Sequence, residues 1–143
     1  MSYADRQDLI DRFGQTEIES LDPGAADGAF ARVTTALADA AAEIDAVVAA
    51  AWDLPLPPGP WPLLVAIASD IARARLYDDV APETVTARAT RARAKLRSIP
   101  EGRYQLVSVA GDIAPRRAGS GVQHASPAGP MAQALRRHCG RTS

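Results

Sequence analysis

Apolar residues return at intervals of three and four along most of the first hundred positions, and that spacing predicts helices rather than strands. Phe30, Val33, Leu37, Ala40, Ala41, Ile44, Val47 and Val48 carry the longest run, a helix expected from Asp27 to about Ala51, with Arg32, Asp39 and Glu43 on its other faces. A second long helix is expected over 62–79. Pro62 suits its first position because the missing N–H would have no partner there in any case, and Leu64, Ile67, Ala68, Ile71 and Ala74 form its stripe. A third opens at Pro82, with Val85, Ala89, Ala92, Leu96 and Ile99 in a four-three-four-three spacing, and stops before Pro100 and Gly102.

Two short helices precede these. Asp5 or Asp8 can cap one that carries Leu9, Ile10 and Phe13 and is halted by Gly14. Thr16 with Glu19 three residues on resembles a capping box for another bearing Ile18 and Leu21, before Asp22-Pro23-Gly24 breaks the chain. The stretch from Trp52 to Pro62 holds five of the eleven prolines, so it favours extended backbone. It is expected as a stiff connector packed by Trp52 and Trp61, the alternative being a ligand for an aromatic groove.

Beyond the helices the pattern changes. Tyr104-Gln105-Leu106-Val107-Ser108-Val109 has the β-branched and aromatic content of a strand, with no second strand to pair with. Unpaired edges are costly when buried, so pairing is expected with another chain or with a short irregular segment of this one. Residues 110–130 are rich in Gly, Pro and Ser and predict a flexible arm. Met131 to His138 fits about two turns of basic amphipathic helix, too short to be stable unless it orders on a partner. The expected architecture is all-α: a small bundle of three main helices plus short N-terminal helices over 1–103, then a lone C-terminal strand and extended arm over 104–143.

Composition fits one soluble domain of 143 residues, 47% hydrophobic and 23% charged. No apolar run reaches the ~18 residues of a membrane helix, and the N-terminus has no basic-then-apolar leader, so a cytoplasmic product without membrane contact is expected. Charge is unevenly spread. Residues 1–85 hold 15 acids and 5 bases, a net of −10, whereas residues 86–143 hold 2 acids and 11 bases, a net of +9. The halves can neutralise each other within one copy, or they can orient a partner or align copies head to tail. Asp70 with Arg73, and Arg75 with Asp78 or Asp79, stand at helical pairing distance.

No catalytic, metal or cofactor site is expected. Asp78 with Asp79 and Asp39 with Glu43 would serve acid–base work only inside a pocket that shifts their pKa values. His124 and His138 lack a ligand set or a triad, Cys139 is the single cysteine, and Gly119-Ser120-Gly121 lacks the strand, helix and lysine of a phosphate loop. Arg88, Arg91 and Lys95 share a helical stripe, followed by Arg116, Arg117, Arg136, Arg137 and Arg141. These give a second reading, a DNA-contacting accessory protein that binds phosphates without reading bases, although aromatic–basic interleaving and a net positive charge are absent.

Several segments in order carry a resemblance: Asp8-Leu9-Ile10-Asp11-Arg12-Phe13-Gly14, Ala40-Ala41-Ala42-Glu43-Ile44-Asp45, Leu54-Pro55-Leu56-Pro57, Asp70-Ile71-Ala72-Arg73, Leu76-Tyr77-Asp78-Asp79, and Ala94-Lys95-Leu96 with Ile99 and Gly102. Over about residues 3–108 the chain resembles the Mu-like phage and prophage family of head-to-tail connector (adaptor, head-completion) proteins. The resemblance implies a virion protein at the head-to-tail junction, assembled in the host cytoplasm, in which a homo-oligomeric ring of twelve copies sits beneath the portal protein and receives a tail or neck protein. Its function would be contact, with no catalytic residue to carry over. The residues expected to contact other copies or the portal are Tyr104, Leu106, Val107 and Val109 in the strand, and Arg116, Arg117, Met131, Leu135, Arg136 and Arg137 in the arm. Arg88, Arg91 and Lys95 are the candidates for facing packaged DNA.

Overall fold

In the computed structural model, which describes residues 2–119, Asp5 opens the first helix with a reciprocal cap. Its carboxylate accepts the Asp8 N–H at 2.9 Å, and the Asp8 carboxylate accepts the Asp5 N–H at 2.8 Å. Helix α1 (Arg6–Phe13) ends at Gly14, whose φ of 94° turns the chain straight into α2 (Gln15–Leu21). The box expected at Thr16 does not form. Thr16 is already inside α2, whose N-terminus has no side-chain cap, and Glu19 accepts from the Gln15 side chain at 2.6 Å instead.

Asp22 organises the next turn although it is an acid only 1% exposed. One carboxylate oxygen accepts the Gly24 N–H at 3.0 Å and starts a 3-10 turn (Pro23–Asp27); the other accepts the Val33 N–H at 2.9 Å. Val33 is the third residue of α3 (Ala31–Val48), so Asp22 caps that helix from nine positions before it begins. The long helix therefore starts four residues later than its apolar spacing predicts. Phe30 holds the junction in a left-handed conformation, φ 40° and ψ 40°.

Helix α4 (Pro62–Leu76) begins at Pro62 as predicted, and α5 (Glu83–Ser98) follows Pro82. Packing runs α3 on α4 and α4 on α5, with α1 against α4. The sandwiched α4 buries Leu64, Val65, Ile67, Ala68, Ser69, Ile71, Ala72 and Leu76, and Ser69 satisfies its hydroxyl on the Val65 carbonyl at 2.7 Å. Between α3 and α4 the proline segment is a packed connector, with Trp52, Leu56 and Trp61 all buried. Among the described residues no helix is long and apolar enough to cross a membrane.

The strand expected at 104–109 is corrected: no strand forms among the described residues. Val107 and Ile113 make one antiparallel bridge, flanked by Ala114 N–H to Leu106 C=O at 2.9 Å and Ser108 N–H to Asp112 C=O at 2.8 Å. Gly111, at φ +90°, folds the chain back on itself before a ladder can lengthen. The pairing partner is thus a short irregular segment of the same chain.

The start of the expected arm is corrected too, since residues 110–113 turn the chain back and 114–117 are bonded to the body. Trp52 Nε1 donates to the Ala114 carbonyl at 3.1 Å, and the Arg117 N–H donates to the Ala51 carbonyl at 2.8 Å. The Arg116 guanidinium stacks over the Trp52 ring, 4.8 Å from its centroid, and donates to the Ile99 and Pro100 carbonyls. Leu106 and Ala114 belong to the same buried cluster as the helices. The rest of the expected arm and the helix expected from Met131 to His138 lie outside the described residues.

Asp22→Ala removes two backbone acceptors at once and should lower unfolding stability by about 2 kcal/mol in a urea titration. Asp22→Asn, which keeps one acceptor oxygen, should lose about half as much.

Candidate interaction surface

The bundle surface is ordered by ion pairs that run between helices. Arg73 on α4 is bidentate to Glu17 on α2, with Nε to Oε1 at 2.7 Å and Nη2 to Oε2 at 3.0 Å, and Tyr77 donates to the same carboxylate at 3.0 Å. Glu43 on α3 receives Arg93 of α5 at 2.6 Å and Arg75 of α4 at 3.1 Å, so one carboxylate ties three helices. Arg88 bridges α5 to Asp70 of α4 at 3.1 Å, and Arg32 pairs with Asp78. The pairs expected along one helix, Asp70–Arg73 and Arg75 with Asp78 or Asp79, are replaced by these. For Arg75 the neighbouring helix offers a far more buried carboxylate, Glu43, than Asp78 beyond its own turn, whereas Arg73 gains a two-pronged contact with Glu17 and leaves Asp70 to Arg88.

These contacts shift the carboxyls. Burial alone would raise the pKa of Glu17, but the hydrogen bonds from Arg73 and Tyr77 and the charge of Arg73 outweigh it and hold it below the usual value. For Glu43 the Arg93 hydrogen bond is the largest influence; it lowers the pKa against the opposing effect of burial, and Arg75 adds to it. Burial, then the Asp45 carboxylate to which its hydroxyl donates, push the Tyr3 pKa upward.

The residues predicted for contact are not brought into one patch. Leu106 is 1% exposed and lies in the core. Val107 and Val109 are 40% and 69% exposed on the turn, and Tyr104 lies near them, with the Lys95 ammonium 6.0 Å from its ring centroid. Arg116 and Arg117 are spent on internal bonds, Arg117 to Asp53 at 2.7 Å. In the basic stripe Arg88 is paired, whereas Arg91 and Lys95 project from α5 with no carboxylate partner among the described residues. Met131, Leu135, Arg136 and Arg137 lie outside the described residues.

Two surface features escaped sequence reasoning. Ile113, 60% exposed, completes an apolar tip with Val107 and Val109 across the bridge; the signal was Gly111 between two short apolar stretches. The second is an open groove of about 690 Å³ between the N-terminal segment and α3, lined by Ala4, Val33, Leu37, Ala38, Ala42 and Phe30, over whose ring Arg6 stacks, and by the carboxylates of Asp5 and Asp45. No group of three or more His, Cys, Asp or Glu that could hold a metal is present among the described residues.

A pinned apolar tip, an apolar groove and a surface ordered by charge are the equipment of a structural protein that works by docking. The family described as Bacteriophage Mu, Gp36 matches residues 3–124, most of the chain, and the chain belongs to that family. It is a structural virion protein, a head-to-tail connector. No curated protein matches the chain.

Because both carboxyl pKa values are depressed, the stability that Glu17 and Glu43 contribute is fully present above the unfolded carboxylate value of 4.5 and is lost as pH falls through the folded values. Glu43→Gln should cost roughly 1 kcal/mol near pH 7 in urea titrations, and the gap from the parent protein should close as pH falls below the ordinary carboxylate range.

Proposed function

We propose that this connector works as a closed ring of twelve copies beneath the portal, with its other end presented to a tail or neck protein, and that it is assembled onto the head in the host cytoplasm. Each copy contributes a rigid helical body and a C-terminal segment that reaches a neighbour or the portal. The observation that carries this reading is membership of the connector family over residues 3–124. It is supported by apolar features on two different parts of one chain, the arrangement a head-to-tail ring needs. The work is binding alone, without a cofactor.

Arg91 and Lys95 favour one addition. With Arg97 they are cations on α5 that have no carboxylate partner among the described residues, and such a stripe suits non-specific contact with DNA passing through a ring. Binding of the purified chain to duplex DNA should then weaken steeply with salt. Arg91→Ala should reduce the log–log salt slope by about 1; an unchanged slope removes the stripe from this role.

Immunogold electron microscopy of phage particles with antibody against the chain should place label at the head-to-tail junction. A chain ending at residue 119, which keeps the Trp52–Ala114 and Ala51–Arg117 bonds, should fold with unchanged helix content by circular dichroism yet enter particles at a reduced level. Normal incorporation would show that residues 120–143 are not needed for docking.

A further inference from the structure

The tip and the groove answer each other in chemistry. Val107, Val109 and Ile113 are branched aliphatic side chains carried on a turn that is fixed at both ends: the Val109 N–H donates to the Pro60 carbonyl at 3.2 Å, and Ala114 is anchored to Trp52. A tip held this firmly loses little conformational freedom on docking. The groove wall is α3, where Ala38 and Ala42 leave room between Leu37 and the N-terminal segment for branched side chains to enter. One copy is not arranged to fill its own groove. Ser2, Ala4 and Asp5 stand between the two features, lining the groove on one side and, with Tyr3, the hollow beside Gly59 and Pro60, next to the tip, on the other.

We propose that the groove between the N-terminal segment and α3 receives the Val107–Val109–Ile113 tip of a second copy of this chain, so that copies join head to tail. The inference deepens the ring reading and rests on it. Charge agrees with this direction. The groove lining holds two acids, Asp5 and Asp45, against one base, Arg6; the tip carries Asp112 in its turn but is flanked by α5, where Arg91, Lys95 and Arg97 have no carboxylate partner among the described residues and Lys95 lies by the Tyr104 ring. Size sets the conditions for assembly. The three side chains offer on the order of 300 Å², well below the ~800 Å² per partner of a stable two-body interface. A single contact is therefore weak, and closure of a ring, in which every copy gives one tip and receives another, supplies the cooperativity.

The test is a covalent ladder. In a Cys139→Ser background, Ala38→Cys and Val109→Cys are placed in one chain; both positions are exposed, so the variant should fold. Oxidation of particles, and of the concentrated purified protein, should give dimers, trimers and longer species on a non-reducing gel, while either cysteine alone gives no ladder. Val109→Asp should abolish assembly with helix content unchanged. Bands that stop at dimer indicate a two-fold contact and overturn the proposal. So does a chain that enters particles normally but stays monomeric on the gel. In a separate chain that carries only Ala38→Cys and keeps Cys139, a disulfide joining the two positions would assign the groove to the C-terminal segment and overturn it equally. If antibody finds no chain in particles, the connector reading falls on that observation, and the ladder from purified protein still decides the contact.

Discussion

Burial of α4 is the constraint to which the rest of the structure answers. Its inward residues spread over most of the helix circumference, from Leu64 and Val65 through Ile67, Ala68, Ile71 and Ala72 to Leu76, so no single partner can cover it. α3 covers one side and α5 another, and α1 covers part of a third. Each large aliphatic side chain removed from water contributes about 1.5–3 kcal/mol, enough to make the covering elements cohere although the short ones would not be stable alone. Small residues make the fit close. Ala36, Ala40 and Ala41 on α3 and Ala89 and Ala92 on α5 are buried, and together with Ala68 and Ala72 of α4 they let helix axes approach where larger side chains would hold them apart.

The end of the bundle where α3 finishes and α4 begins is closed by tryptophan. Trp52 and Trp61 flank the proline segment and are both buried, and Trp52 also receives the returning C-terminal segment through Ala114 and Arg116. This one indole links the connector, the end of α5 and residues 106–116. The chain has only two phenylalanines and two tryptophans, so a single large ring does the joining that several aromatic residues share in richer cores. The same contact ties the apolar tip to the packing of the core.

The main helices were legible because their signals are local: three- and four-residue spacing, Pro62 at the head of α4, Pro82 before α5, and Gly14 after α1. The errors fall where a distant group decides. The start of α3 depends on Asp22, whose reach to Val33 depends on a 3-10 turn that the dipeptide Pro23-Gly24 announces only as a break. Tyr104–Val109 has the content of a strand, but the absence of a second strand and the turn at Gly111 limit it to one bridge. The arginine partners were missed for the same reason. Helical spacing offers a partner four residues away, whereas the folded chain offers Glu43 to Arg93 across 50 positions. Contact residues were legible only in part: alternation puts Leu106 on the face opposite Val107 and Val109, but with apolar residues on both faces it does not say which one meets the core.

The charge division along the chain takes on meaning from these pairs. Arg88 with Asp70, Arg93 with Glu43 and Arg117 with Asp53 each join a base from the second half to an acid from the first, so part of the asymmetry is consumed in holding one copy together. Part of the remainder is unevenly placed: among the described residues Arg91, Lys95 and Arg97 on α5 have no carboxylate partner, and Asp27, Asp79 and Glu83, near the start of α3 and the start of α5, have no basic one. Residual fields of this kind act at longer range than the apolar tip and are screened by salt, so they bias approach and orientation while close apolar packing sets how long a contact lasts. For a protein that must occupy a defined place in a growing particle, that division is useful. A weak, oriented contact permits correction of a misplaced copy, and the many simultaneous contacts of a closed assembly make the correct arrangement persist.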